Sequence, residues 1–157
     1  ATTEIYTLSQ HDALPILNDL STVHVPAELG VTVGEELLRP TRIYVKSVLS
    51  LVKDALIKGM VHVTGGGFIE NIPRVLPDGM GVCITMGSWP ILPVFSWVQQ
   101  LGGVEQNEMF RTFNMGIGFV LVVSAEQAKL VVERLAATDE KAYIIGQVEA
   151  GAGLRFE

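Results

Sequence analysis

From Val45 through Ile57 the apolar residues Val45, Val48, Leu49, Val52, Ala55 and Leu56 recur at helical spacing, with Lys46, Lys53 and Asp54 between them. The spacing predicts one amphipathic helix, stopped by Gly59. Upstream, Thr32 followed by Glu35 has the capping-box pattern and opens a short helix that Pro40 stops, after which residues 41–44 are extended. Met60, Val61 and Val63 read as a buried strand that runs directly into Gly65, Gly66 and Gly67. Phe68 to Leu76 carries Pro73, so a helix there is short or kinked, and Pro77-Asp78-Gly79 is a turn. Val82 to Thr85 is a strand, followed by a helix with Pro90 in its first turn and Ser88 as its cap, broken at Gly102-Gly103. A short helix spans Glu105 to Phe113. Ile117 to Val123, continuously apolar apart from Gly118, predicts a central strand. Ser124 with Gln127 repeats the capping pattern for a helix to about Ala136, and Ala142 to Val148 is the last strand. Helices and strands in this order predict an α+β layered domain with a mixed sheet, one unit without internal repeats or linkers.

Residues 1–17 keep neither period and are expected to be a non-native or disordered segment outside the fold, leaving 18–157 as the domain; His11 and Asp12 are not assigned to a site. The chain has 157 residues, 48% of them hydrophobic and 18% charged, enough for a sizeable core. A net charge of −6 without a Lys/Arg cluster points away from nucleic acid and anionic membranes, and toward a metabolite or a protein partner. No apolar run spans a membrane, no leader pattern precedes the domain, and the one cysteine, Cys83, reads as a core residue in a reducing cytoplasm.

The candidate chemistry is concentrated where the first strand meets the glycines. Gly65, Gly66 and Gly67 adopt positive φ at low cost, and their amides, with a helix start behind them, suit an anion. A tight turn without a ligand is the competing reading. The spacing matches neither a P-loop, since no Lys-Ser or Lys-Thr follows, nor a dinucleotide fingerprint.

Read in order, LLRPTRIYVKSVL, HVTGGGFIENIPRVLP, MFRTFNMGIGF and YIIGQV resemble the C-terminal domain of the aminoimidazole ribonucleotide synthetases, the phosphoribosylformylglycinamidine cyclo-ligases, over residues 30–150. The resemblance implies an ATP-dependent ring closure in purine biosynthesis, from formylglycinamidine ribonucleotide and ATP to aminoimidazole ribonucleotide, ADP and phosphate. It also implies a cytoplasmic homodimer of two-domain chains, with ATP and Mg²⁺ held mainly by an N-terminal domain. That half is missing here, so the chain is expected to be an inactive fragment whose uncovered apolar surface favours self-association.

Within that family frame His62 is the candidate catalytic group, for a proton transfer or a substrate hydrogen bond; a buried histidine satisfied by backbone is the alternative. Thr64, Gly65, Gly66 and Gly67 are candidate phosphate contacts. Asn71 and Arg74, three apart, are placed to reach the same ligand, although Arg74 also reads as a solvated charge; Glu70 would balance an arginine. Arg111, Asn114 and Gly116 form a second polar group, with helix capping as the alternative for Asn114. Arg42 reads as an interface or intradomain ion-pair residue rather than a ligand contact. No metal site is visible: the histidines are scattered and no acidic cluster recurs at ligand spacing. Two other readings compete: a related ATP-using enzyme such as thiamine-phosphate kinase or selenophosphate synthetase, against which PTRIY and FRTFNMG argue, and a non-catalytic phosphate-metabolite binding domain.

Overall fold

The computed structural model describes residues 20–157, and the expectation for residues 1–17 lies outside them. Thr32 caps α1 (Val33–Leu37) through a complete capping box: its hydroxyl oxygen accepts from the Glu35 amide at 3.1 Å, and the Glu35 carboxylate accepts from the Thr32 amide at 2.9 Å. These bonds hold the Glu35 carboxyl below the usual carboxylate range. Next comes α2 (Val45–Lys53), which ends through Ala55 at φ 53 rather than at Gly59; Gly59 instead begins β1 (Gly59–His62). The predicted apolar stripe of α2 is only half correct. Val48 and Leu56 are buried, but Val45, Leu49 and Val52 face outward, and the inward positions include Leu51 and Ser47. Ser47 is tolerated inside because its hydroxyl donates to the Glu140 carboxylate at 3.1 Å.

The polypeptide forms α3 (Gly67–Asn71), and Pro73 converts its continuation into a 3-10 turn over Ile72–Val75, as a proline within a helical pattern dictates. Then β2 (Met80–Ile84) runs through the core. The next helix, α4 (Pro93–Gly102), starts later than predicted. Pro93, not Pro90, occupies the first turn, Leu92 stands at the cap with no side-chain bond, and Ser88 donates to the Thr85 carbonyl in the preceding turn. There follow α5 (Gln106–Thr112), β3 (Phe119–Val122) and α6 (Ala128–Ala136). Ser124 does not cap α6: a 3-10 turn at Ala125–Gln127 intervenes, and the Ser124 hydroxyl meets the Gln127 side chain instead.

The strands form two sheets. One is an antiparallel ribbon of β1 and β3; the other has the order β4-β2-β5, with β4 (Gly146–Ala150) antiparallel and β5 (Gly153–Phe156) parallel to β2. The α+β class with a mixed sheet is therefore as expected, while β3 is not a central strand. Its apolar run reflects coverage of both faces: Val120 packs on the main core, and Leu121 on the cluster of Leu51, Leu56 and Val131. Likewise β1 is buried on one face only, since Met60 is exposed while Val61 and Val63 are covered. The last predicted strand begins at Gly146 rather than Ala142, and β5 was not anticipated. The 151–153 connection wraps around the start of β2 and lies against Gly81, where a Cβ would come within 3.0 Å of the Gly153 carbonyl.

The main core joins both sheets through Phe68, Ile72, Trp89, Phe110 and their neighbours. Phe68 stacks on Trp89 at a centroid distance of 5.5 Å and meets Phe110 edge-on at 5.5 Å, geometries that aromatic quadrupoles favour. This places α3 against α5 at close range. Gly67, at φ 52, has the Phe110 and Phe113 carbonyls where a side chain would stand. Because those obstacles are backbone, Gly67→Ala is expected to cost about 2–4 kcal/mol through strain and overpacking. A urea unfolding curve checks it. Thr32→Ala should cost about 1 kcal/mol by loss of the cap, read in the same assay.

Candidate functional site

β1 ends at His62, β3 begins at Phe119, and these two residues are paired across the ribbon. The turn leaving β1 and the turn entering β3 therefore lie at the same end. They are tied together by the Val63 amide, which donates to the Gly118 carbonyl at 2.9 Å.

In the first turn Gly66 and Gly67 take φ values of 96° and 52°, which glycine alone accommodates without strain. Gly67 donates its N–H to the Thr64 carbonyl at 3.0 Å. Asn71 is buried, and its side-chain amide donates to the Gly65 and Gly67 carbonyls at 3.1 and 2.9 Å. That arrangement consumes the turn's inward polar groups. The N–H groups of Thr64, Gly65 and Gly66 donate to nothing among the described residues, and Thr64 and Gly65 are exposed. The glycine turn thus serves two purposes: Gly67 is a packing position, while the preceding three amides have no acceptor among the described residues. With only five residues, α3 adds little of the dipole that the glycine-helix pattern suggested.

The neighbouring charges are not where an anion alone would put them. The Glu70 carboxylate overhangs Gly66, at 2.8 Å from the place a Cβ would occupy, and pairs with Arg74 at 3.8 Å. Asn71 and Arg74 therefore do not converge: one is sealed inside the turn and the other is exposed beside Glu70. Such an exposed i,i+4 pair is weak and exchangeable.

The second turn is closed by Asn114, whose side-chain oxygen accepts from the Gly116 amide at 3.0 Å and whose carbonyl accepts from Ile117 at 2.9 Å. Met115, buried at φ 48, presents its carbonyl to the indole N–H of Trp89 at 2.9 Å. Gly116, at φ 96, faces the Pro90 carbonyl. Arg111 stays outside this arrangement, exposed and 3.8 Å from Glu108 one turn earlier on α5. Arg42 pairs within the domain, as expected, at 3.2 Å from Glu140.

His62 is exposed, not buried with a backbone partner, and its ring lies 6.0 Å from both Tyr44 and Phe119. The strand alternation that buries Val61 and Val63 sends it outward, on the same face as Thr64. Sequence reasoning missed Tyr44 and Trp89. The signal for Trp89 was a lone tryptophan among turn formers, whose indole N–H needs an acceptor when buried. For Tyr44 it was the aromatic residue just ahead of the α2 pattern.

A cavity of about 980 Å³ opens between β3 and the 142–148 segment over a mostly aliphatic lining. Tyr44 and Phe119 line it, while His62 and the three glycines do not. Among the described residues no group of three His, Cys, Asp or Glu gathers as a metal site. No helix among them is long and apolar enough to cross a membrane.

Residues 3–157 match the family model described as AIR synthase related protein, C-terminal domain. The chain is 58% identical to the phosphoribosylformylglycinamidine cyclo-ligase of Bacillus licheniformis over 138 residues, covering 88% of this chain and 39% of that protein. It is 55% identical to the Bacillus subtilis enzyme of the same name, again over 88% of this chain and 39% of the relative. It thus spans about two fifths of the length of these relatives. Among solved structures, thiamine-monophosphate kinase from Stenotrophomonas maltophilia superposes with a TM-score of 0.66 at 15% identity, over 96% of this chain and 46% of that one. The E. coli hydrogenase maturation protein HypE superposes with a TM-score of 0.60 at 22% identity, over 80% of this chain and 41% of that one. At such identities these two likenesses speak to the fold alone. The family match and the cyclo-ligase identities lead to one conclusion: this chain belongs to the AIR synthase related family, as its C-terminal domain.

Proposed function

We propose that the chain is the substrate-gripping C-terminal part of a phosphoribosylformylglycinamidine cyclo-ligase. The full enzyme would close the aminoimidazole ring at the expense of ATP in cytoplasmic purine biosynthesis. The observation that carries this reading is the row of unengaged amides at Thr64, Gly65 and Gly66, in a turn fixed from inside by Asn71 and set beside an exposed histidine. Amides aimed in advance at a phosphate or at the oxygen of an activated amide need no reorganisation when charge develops there. The Thr64 hydroxyl adds a donor, and Gly67 permits the geometry without touching ligand.

In this reading His62 relays the proton released as the attacking nitrogen closes the ring. Asn71 is a positioning residue. Arg74 leaves its weak pairing with Glu70 for the incoming phosphate, and Arg111 does the same from Glu108. Asn114 and Gly116 form the facing wall. ATP and Mg²⁺ are held mainly by the N-terminal part of the enzyme in this reading, as the cyclo-ligase resemblance implies. The outward apolar residues Val45, Leu49 and Val52 of α2 suit a covering partner, whether that N-terminal domain or the second subunit of a homodimer. Identities above half to cyclo-ligases support this assignment over a related kinase. A non-catalytic phosphate-metabolite binder remains the outcome if binding is found without chemistry in the reconstituted enzyme.

Calorimetry of the isolated chain should detect formylglycinamidine ribonucleotide but not Mg-ATP. Binding of neither would remove the assignment of the grip to this domain. The pure chain should release no phosphate from ATP in the presence of substrate, and measurable turnover would contradict the division of labour. Gly66→Val should abolish substrate binding, since its φ of 96° is strained for valine and the new Cβ would crowd the Asn71 amide at 2.9 Å. Unchanged affinity would reduce the glycines to a turn.

A further inference from the structure

Tyr44 stands at the N-cap of α2, and its ring closes over the end of the ribbon where the two turns meet. Its centroid lies 5.2 Å from Phe119 and 6.0 Å from His62. The hydroxyl rests on Gly118 in a recess where any side chain at position 118 would collide with it. Gly118 does not have a left-handed φ, so glycine is required there for space and not for backbone conformation. The Gly118 carbonyl in turn accepts from Val63, one residue before the unengaged amides.

The Tyr44 hydroxyl donates to and accepts from no described group and is not among buried polar atoms cut off from solvent, so it is open to an incoming partner. The nearest charges are committed to each other, Arg42 to Glu140 at 3.2 Å, and burial pushes the phenol pKa up, so the group is a neutral O–H at pH 7. The proposed phosphate grip supplies no use for it.

We infer that Tyr44 is a specificity-determining residue: its hydroxyl and the Tyr44–Phe119 ring faces receive the planar, nitrogen-rich end of the phosphorylated metabolite whose phosphate lies on the 64–66 amides. The inference rests on the phosphate reading above. A planar amidine or imidazole offers N–H donors to a phenol oxygen and a face for aromatic contact, whereas the ribose phosphate alone offers neither.

Calorimetry with two probes separates the ends of the ligand. Tyr44→Phe is expected to lose about tenfold in affinity for formylglycinamidine ribonucleotide, the worth of one well-placed hydrogen bond, and nothing for ribose 5-phosphate, at an unchanged thermal midpoint. Gly118→Ala, which drives the ring from its recess, should reproduce the same selective loss. Equal loss for both probes, or no loss for either, overturns the role of Tyr44 while leaving the phosphate reading intact. If the unaltered chain binds neither probe, the phosphate reading fails and this inference fails with it.

Discussion

The site end of this domain depends on one buried amide. Asn71 places its side-chain nitrogen between the carbonyls of Gly65 and Gly67, satisfying two inward acceptors with one group and fixing a turn that has almost no side chains of its own. Without it both carbonyls would lose that donor and the turn the bonds that fix it. With it the turn is held with the preceding amides unengaged. Those bonds commit the Asn71 side-chain nitrogen to the turn itself.

Packing sets the turn in place at a larger scale. Phe68 follows the glycines directly and stacks on Trp89, and Trp89 holds the Met115 carbonyl of the second turn. One indole therefore fixes two turns that are about fifty residues apart in the chain. Gly67 allows this by bringing α3 onto the carbonyl ends of α5 at backbone distance. The core and the site end are one construction: the residues that bury apolar surface also set the spacing of the two turns.

Away from the site the domain divides into a ribbon and a mixed sheet, with a largely aliphatic cavity between β3 and the 142–148 segment. Outside both sheets, Leu38, Ile43, Val45 and Leu49, in and ahead of α2, are exposed.

Several features were legible in the sequence because they are local. The Thr32–Glu35 capping box, the break of α3 at Pro73, the α5 span, the outward direction of His62 and the family motifs each follow from a few adjacent residues. The errors share a different cause. Apolarity could not tell β3, covered on both faces, from a strand paired on both edges, and helical spacing could not tell which apolar residues of α2 would find cover. Nor could it place Pro93 ahead of Pro90, or detect β5, whose strand exists only because β2 offers it an edge. The sequence alone determined which residues could bend, cap and carry charge. Only the tertiary structure decided that Asn71 turns inward, that Arg74 and Arg111 pair with acids beside them, and that Tyr44 reaches Gly118. Those outcomes depend on which distant backbone lies within hydrogen-bonding or contact distance, and local pattern holds no information about that.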